Sequence, residues 1–335
     1  RYQNPEYRRR VISAAESLLP RVTDRAAAKE ILADPRLRDK LRARIADGLS
    51  KRRSKLSPDD FISEAFPEAS IVMSALLHRA REKEDALLAE FKQQEKNTLG
   101  RLGPTEPLIT NNLFGCVNAI YIDVRQPSIL FSGFTSLTLI ARENMRHLLE
   151  LVHRIFKAYE PSDDCNDLPV VPPQVQAKAV KEASELILGT VSGHGEQGPQ
   201  LYNLARCLGS IFHERHRGLK QSEPEINHFT VSGGDLDEKL RMYLAEAEKW
   251  SVLFRSQETK MKTTGAIDTD FVLNPIFSPH FQISFRKKRS LQLTAQQLIG
   301  MLEGDQRLRD VLVRDIARLE GGDDSHPDLF DEANS

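Results

Sequence analysis

The chain has 335 residues, of which 40% are hydrophobic and 28% charged, and its formal net charge is −1. That length exceeds what one core usually serves, so two or more domains are expected, with ample apolar material to bury. No apolar run approaches the roughly 20 residues that span a bilayer, and three scattered cysteines, Cys116, Cys165 and Cys207, make neither a CxxC pair nor a disulfide framework.

A cytoplasmic protein with no membrane partner is therefore expected. The opening RYQNPEYRRR has no apolar signal segment, and because it begins with Arg rather than Met a piece of a longer protein is expected. The small net charge hides an uneven distribution. Residues 1–55 hold 16 Lys and Arg against 7 Asp and Glu, whereas the last 35 residues hold 10 acids against 4 bases. The basic end can meet nucleic acid or an acidic partner, or simply form solvated helices.

From Pro5 to about residue 96 the pattern predicts helices. Val11, Ala14, Ala15, Leu18 and Leu19 make a stripe that stops at Pro20. Thr23 or Asp24 caps a second helix running to Asp34-Pro35. A third, over 35–49, sets Leu37, Leu41 and Ile45 four apart, with Arg36, Arg38, Lys40, Arg42 and Arg44 on its other faces. Ser57-Pro58-Asp59-Asp60 marks a helix start, and a long helix over 68–95, strongly charged after Leu77, reads as a solvent-crossing or partner-packing arm. NTLGRLGPTEP at 97–107 is a linker-like break. Residues 108–123 then carry Leu113, Phe114, Val117, Ile120 and Tyr121.

The stretch 128–156 organises the chain. An apolar segment, 134–141, leads to Asn144, a good N-cap for an amphipathic helix. Met145, Leu148, Leu149, Val152, Ile155 and Phe156 form its expected apolar stripe, with Arg146, Glu150, His153 and Lys157 opposite. A cation in the first turn opposes the helix dipole, so Arg146 either serves something outside the helix or is an ordinary solvated arginine.

A Pro-rich, acidic break at 160–173 precedes a helix over 173–188 and a glycine-rich loop, SGHGEQG, which lacks the Lys-Ser/Thr pair of a phosphate loop and reads as a connector. Pro199 opens the next helix. His213 and His216 at its end are three apart without a third ligand, so a surface position is expected over a metal site. Residues 226–231 read as a strand, a helix follows to Trp250 (a core residue by default), and 252–261 pairs with 270–273. The alternating runs 281–285 and 290–294 predict a hairpin tipped by Arg286, Lys287, Lys288 and Arg289. Thr294 caps a helix through Leu302, and one charged helix and an acidic tail close the chain.

At Ala141-Arg142-Glu143-Asn144-Met145-Arg146-His147-Leu148-Leu149, following the apolar segment, the chain resembles the second-sensor segment of AAA+ ATPases. More narrowly, it resembles the origin-recognition-like clade of bacteria, in which a small helical lid precedes a winged-helix domain. The resemblance implies that Arg146 reaches from the lid to nucleotide phosphates. The family usually has Gly before the Asn and Pro after it; Glu143 and Met145 stand here. The phrase DFVLNPIFSPHFQISFRKKR, 270–289, is similar to the C-terminal end of these bacterial ATPases.

The fold expected is mainly α with a small β-hairpin or wing sheet: a basic helical module over 1–100, an AAA+ lid-like domain over 101–160, a winged-helix-like domain over 161–295, and a helix with an acidic tail over 296–335. The family implies ATP and Mg as cofactors, bound by an ATPase core. The sequence has no G-x-x-x-x-G-K-[ST] and no apolar strand ending in Asp-Glu, so that core is expected upstream, as a partner domain. Exposed cations displace counterions from a phosphate backbone, so Lys260, Lys262, Arg286, Lys287, Lys288 and Arg289 are candidate contacts to DNA. A basic edge that resists aggregation is the other reading of the same residues. The whole is then expected to couple ATP binding and hydrolysis to DNA or partner engagement, with further copies of itself as a candidate partner in a homo-oligomer. The alternatives are a non-enzymatic winged-helix module that binds DNA or protein, and a helical adaptor docking through its acidic tail.

Overall fold

Helices begin where the sequence supplies a cap. The computed structural model describes residues 5–78, 83–96, 106–159, 170–217, 225–232, 237–256, 270–286 and 289–318. α1 (Pro5–Leu18) ends before Pro20. The Thr23 hydroxyl accepts from the Ala26 amide at 3.2 Å to start α2 (Asp24–Ala33). Asp34 ends α2 and starts α3 (Pro35–Lys51), accepting from the Arg36 amide at 2.8 Å. Ser57 and Asp60 form a reciprocal capping box, but around a single 3-10 turn.

The long arm expected over 68–95 is two helices, α4 (Pro67–Leu76) and α5 (Glu84–Lys96). α4 is buried along nearly its whole length, between α2, α3 and α6 (Glu106–Asp123). α5 is no arm either. Its Leu87 and Phe91 are buried, and the Phe91 ring centroid lies 6.1 Å from that of Phe61.

The second half opens with α7 (Phe134–Ala141) and α8 (Met145–Ala158), then α9 (Pro173–Thr190) and α10 (Gly198–Arg217). β1 (Ile226–Ser232), α11 (Glu238–Lys249), β2 (Leu253–Arg255), β3 (Asp270–Leu273), the short α12 (Ser278–Phe281), β4 (Arg289–Thr294), α13 (Ala295–Glu303) and α14 (Gln306–Arg318) follow. Thr294 and Gln297 make a capping box at the start of α13. The protein is thus mainly α with one small mixed sheet, of strand order β2-β3-β1-β4.

β2 and β3 pair antiparallel, with Phe254 opposite Val272, in line with the sequence. The hairpin expected between 281–285 and 290–294 does not form. β4 instead pairs parallel with β1, Leu291 opposite Phe229. Residues 281–286 alternate without being a strand, because Gln282 turns left-handed (φ 52°) at the end of α12. The side chain of Asn227 on β1 then satisfies the carbonyls of Ser284 (2.9 Å) and Arg286 (2.7 Å). Phe281, Gln282, Ile283 and Ser284 are all buried, so the apolar–polar alternation of the sequence does not sort this segment into an inner and an outer face.

The buried side chains sort into two cores that meet between Leu130 and Phe131. The first collects α2 to α6. The second collects α7 to α14 and the sheet, and takes Leu19 from the chain just after α1. Phe285 packs against both, edge-on to Phe114 (5.2 Å, 81°) and 6.2 Å from Phe131.

Candidate functional site

The start of α7 is set by polar contacts made far away in sequence. Gln176 of α9 accepts from the Gly133 amide at 2.8 Å and donates to the carbonyls of Val171 (2.8 Å) and Pro20 (3.3 Å). Glu16 of α1 accepts from the amides of Thr135 (2.6 Å) and Arg21 (2.8 Å). Gly133 sits at φ 93°, and a Cβ there would meet the Arg21 backbone at 2.4 Å, so only glycine fits this crossing.

The corner itself takes two consecutive left-handed residues, Arg142 (φ 43°) and Glu143 (φ 62°). Arg142 closes α7 by donating its amide to Thr138 O. Asn144 then caps α8, its side chain accepting from the His147 amide at 3.2 Å. At both motif positions where this chain departs from the family it resembles, Glu143 and Met145, the backbone has the shape that suits the family's usual residue. A left-handed residue favours Gly, and the first helical position favours Pro.

α8 does not bury the stripe expected for it. Leu151 and Ile155 are buried and Leu148 and Val152 half-buried, whereas Met145 (64% exposed), Leu149 (61%) and Phe156 form an exposed apolar strip along one flank. With 3.6 residues per turn, the core-facing line runs through 148, 151, 152 and 155, one step round from the predicted one. Arg146 is exposed beside that strip and has no ion pair among the described residues.

The surface facing the corner is built by elements that the sequence did not mark. The glycine-rich loop is a connector between α9 and α10, yet its His194 ring stacks on Trp250 at the end of α11, 5.0 Å apart and 19° from parallel. Gly195 (φ 64°) lets the loop lie against that indole, where a Cβ would sit 3.3 Å from the ring. Trp250 is not a core residue. It is 37% exposed and donates its indole N–H to Glu246 at 3.0 Å. The Arg142 guanidinium lies 3.8 Å over the Phe254 ring of β2, a cation–π contact.

Burial, and after it the nearby Arg146 charge, pulls the pKa of both His147 and His194 below the ordinary histidine value. Their Nδ1 atoms are buried with no hydrogen-bond partner among the described residues. Burial also pulls the Arg142 guanidinium down, with Glu143 opposing it. One exposed arginine thus stands next to neutral imidazoles, an indole and an apolar strip.

The other candidates fall elsewhere. Lys260, Lys262, Lys287 and Lys288 lie outside the described residues, as does Cys165. Arg289 begins β4. Arg286 is half-buried: it pairs with Asp24 of α2 at 3.4 Å and lies 4.4 Å over the Phe114 ring, tying the segment after α12 to the first core. His216, expected at the surface, is fully buried, faces the Ile226 carbonyl at 3.3 Å, and is pushed down to about 3 by desolvation. His213 lies 2.6 Å from the Phe281 carbonyl.

The glycine-rich loop does not fit a nucleotide–magnesium site. The backbone carbonyls of Val191 and Ser192 close on Gly198 at the start of α10, so the glycine-rich loop presents no open cradle of amides. Among the described residues no group of three or more His, Cys, Asp or Glu is arranged to hold a metal ion.

A mainly helical protein with an Asn-capped, arginine-bearing corner and a small mixed sheet is the class these features define. The family model described as ORC-CDC6-like matches residues 4–293. The chain belongs to the ORC-CDC6-like family, which places it in an AAA+ ATPase-related setting. No curated protein and no solved structure matches it.

Proposed function

We propose that this chain supplies the lid and a winged-helix-like portion of a bacterial origin-recognition-like AAA+ ATPase, which couples ATP binding and hydrolysis to engagement of DNA or of a partner. The observation that carries the reading is Arg146: exposed, without a carboxylate partner among the described residues, and flanked by the apolar strip of Met145, Leu149 and Phe156. Unpaired cations beside exposed apolar side chains suit a surface that another domain covers. An ATPase core docked there brings nucleotide phosphates to the guanidinium, and the charge of Arg146 stabilises them in a water-poor interface. This chain contributes the sensing arginine and the corner that holds it, while the phosphate cradle and the metal belong to the core.

The sheet supports the second half of the proposal. β2 and β3 are adjacent and antiparallel, with β1 on the other side of β3, the order a wing sheet takes. Among the described residues one helix, α11, lies between β1 and β2 where a winged helix has two, so the element is a variant. In sequence, Lys260 and Lys262 fall between the two wing strands, Lys287 and Lys288 precede β4, and Arg289 is its first residue. These are the cations proposed for DNA backbone, with Arg286 anchoring its segment through Asp24.

The test is Arg146→Ala in the protein joined to its nucleotide-binding core. Loss of nucleotide-dependent turnover by tenfold or more is expected; unchanged nucleotide affinity and hydrolysis eliminate the sensor role. A Lys287→Ala/Lys288→Ala variant should weaken DNA binding and flatten its salt dependence.

A further inference from the structure

The junction of the two cores holds a concave cleft of about 660 Å3 that the reading above leaves unused. Its walls carry five cations and one carboxylate: Lys40 and Arg44 from α3, Asp123 and Arg125 from the end of α6, Lys181 from α9 and Arg217 from α10. Asp123 offers little further neutralisation, because both its oxygens already accept from Arg44, at 2.6 and 3.0 Å. Among the described residues, Arg217 pairs only loosely, with Glu214 at 3.9 Å. Lys40, Arg125 and Lys181 show no ion pair among the described residues.

Like charges gathered in a concavity raise one another's energy and focus the field outward, which favours an anion over water. The cleft's volume suits a small molecule and is too confined for a duplex. A second observation points the same way. Gln282, also in the lining, is 5% exposed, and its side-chain carbonyl has no hydrogen-bond partner among the described residues. A buried, unpaired amide end is costly, and a ligand relieves it. The carbonyl accepts from a ligand hydroxyl, or the amide, turned over, donates to a phosphate oxygen.

We propose that this cleft binds a small organic ligand carrying two or more phosphate groups, with Lys40, Arg125 and Lys181 on the phosphates and Gln282 on the body. The site is separate from the Arg146 surface. α3 and α6 belong to the first core and α9 and α10 to the second, so an occupant holds the two cores together.

Pyrophosphate is the probe, titrated into the full 335-residue chain by calorimetry at fixed ionic strength. One-to-one binding is expected, weakened at least tenfold by Lys181→Ala and by Arg125→Gln. Lys40→Ala, on the exposed rim, serves if Lys181→Ala does not fold. Binding within twofold of wild type in the cleft variants, or a thermal shift that sodium chloride of the same ionic strength reproduces, overturns the proposal. Loss in Arg146→Ala with the cleft variants intact assigns the phosphate to the α7–α8 corner instead, and also overturns it.

Discussion

α3 and the α7–α8 corner are both rich in arginine, and their arginines have opposite fates. On α3 each guanidinium finds a carboxylate: Arg36 with Asp34 (3.6 Å), Arg38 with Glu64 (3.4 Å), Arg42 with Asp59 (2.6 Å) and Arg44 with Asp123 (2.6 Å). At the corner Arg142 lies on an aromatic face, and Arg146 has no carboxylate among the described residues. The excess of basic residues at the start of the chain is therefore largely absorbed by intramolecular pairs. A local excess of cations does not by itself mark an interface; an exposed cation left without its counter-charge is the stronger sign.

The largest expected effect tests the paired side of this contrast. Arg44 is 8% exposed and bonds Asp123 through two nitrogens, so Arg44→Ala leaves a partly buried carboxylate alone and should cost about 3–5 kcal/mol in urea denaturation. Arg42→Ala, which breaks an equally short but exposed pair, should cost less than about 1 kcal/mol. Similar losses in the two variants would mean that burial does not separate α3's inner and outer arginines.

The histidines extend the contrast to pH. His216 is buried with its pKa pushed down to about 3, far below the ordinary value of 6.5. The unfolded chain takes up a proton near 6.5 and the native chain does not, so stability is complete above 6.5. It is lost as pH falls from 6.5 toward 3, by about 1.4 kcal/mol per pH unit for this group. His78, His147, His194 and His280 are displaced in the same direction and add to the slope. Urea midpoints at pH 7 and pH 5 should differ clearly in the wild type, and His216→Leu should remove the share due to this one residue. An unchanged slope would mean that the ring is already protonated or solvated in the native state.

Much of the fold was legible because caps and turn residues act locally. Thr23, Asn144 and Thr294 each start the helix predicted from them, and β1 and the β2–β3 pair fall within the stretches read as strands. What the sequence hid depends on contacts between distant residues. The 281–285 run looks like a strand, but Asn227, more than fifty residues away, satisfies its carbonyls. Trp250 reads as core from its neighbours, yet a loop from the other side of α10 brings His194 onto it. At the candidate site only Arg146 and its cap were visible. Arg142, His194, Trp250 and Phe254 come together through packing that leaves no spacing in the chain.

Glu143 offers a smaller test of the corner. A non-glycine residue at φ 62° carries roughly 1–2 kcal/mol of backbone strain, part of which the greater freedom of unfolded glycine offsets. Glu143→Gly should raise stability by about 0.5–1 kcal/mol, read as a higher urea midpoint. Met145→Pro, at the first position of α8, should be tolerated. Destabilisation by either substitution would mean that the corner depends on side-chain contacts of Glu143 or Met145 rather than on backbone shape.

The smallest expected effect is the most informative about Arg146. If its guanidinium is held for something outside the chain, Arg146→Ala should change stability by no more than about 0.5 kcal/mol, as for a surface residue away from packing. The same substitution should raise the pKa of His194. That pKa is lowered first by burial and then by the Arg146 charge, and only the second influence disappears. Titration of the His194 ring by NMR reads the electrostatic contact directly, while denaturation reads any structural one. A raised imidazole pKa with unchanged stability leaves Arg146 as a charge positioned without being needed for the fold. A stability loss above about 1 kcal/mol would make it a structural arginine like Arg44 and dissolve the contrast between the two regions.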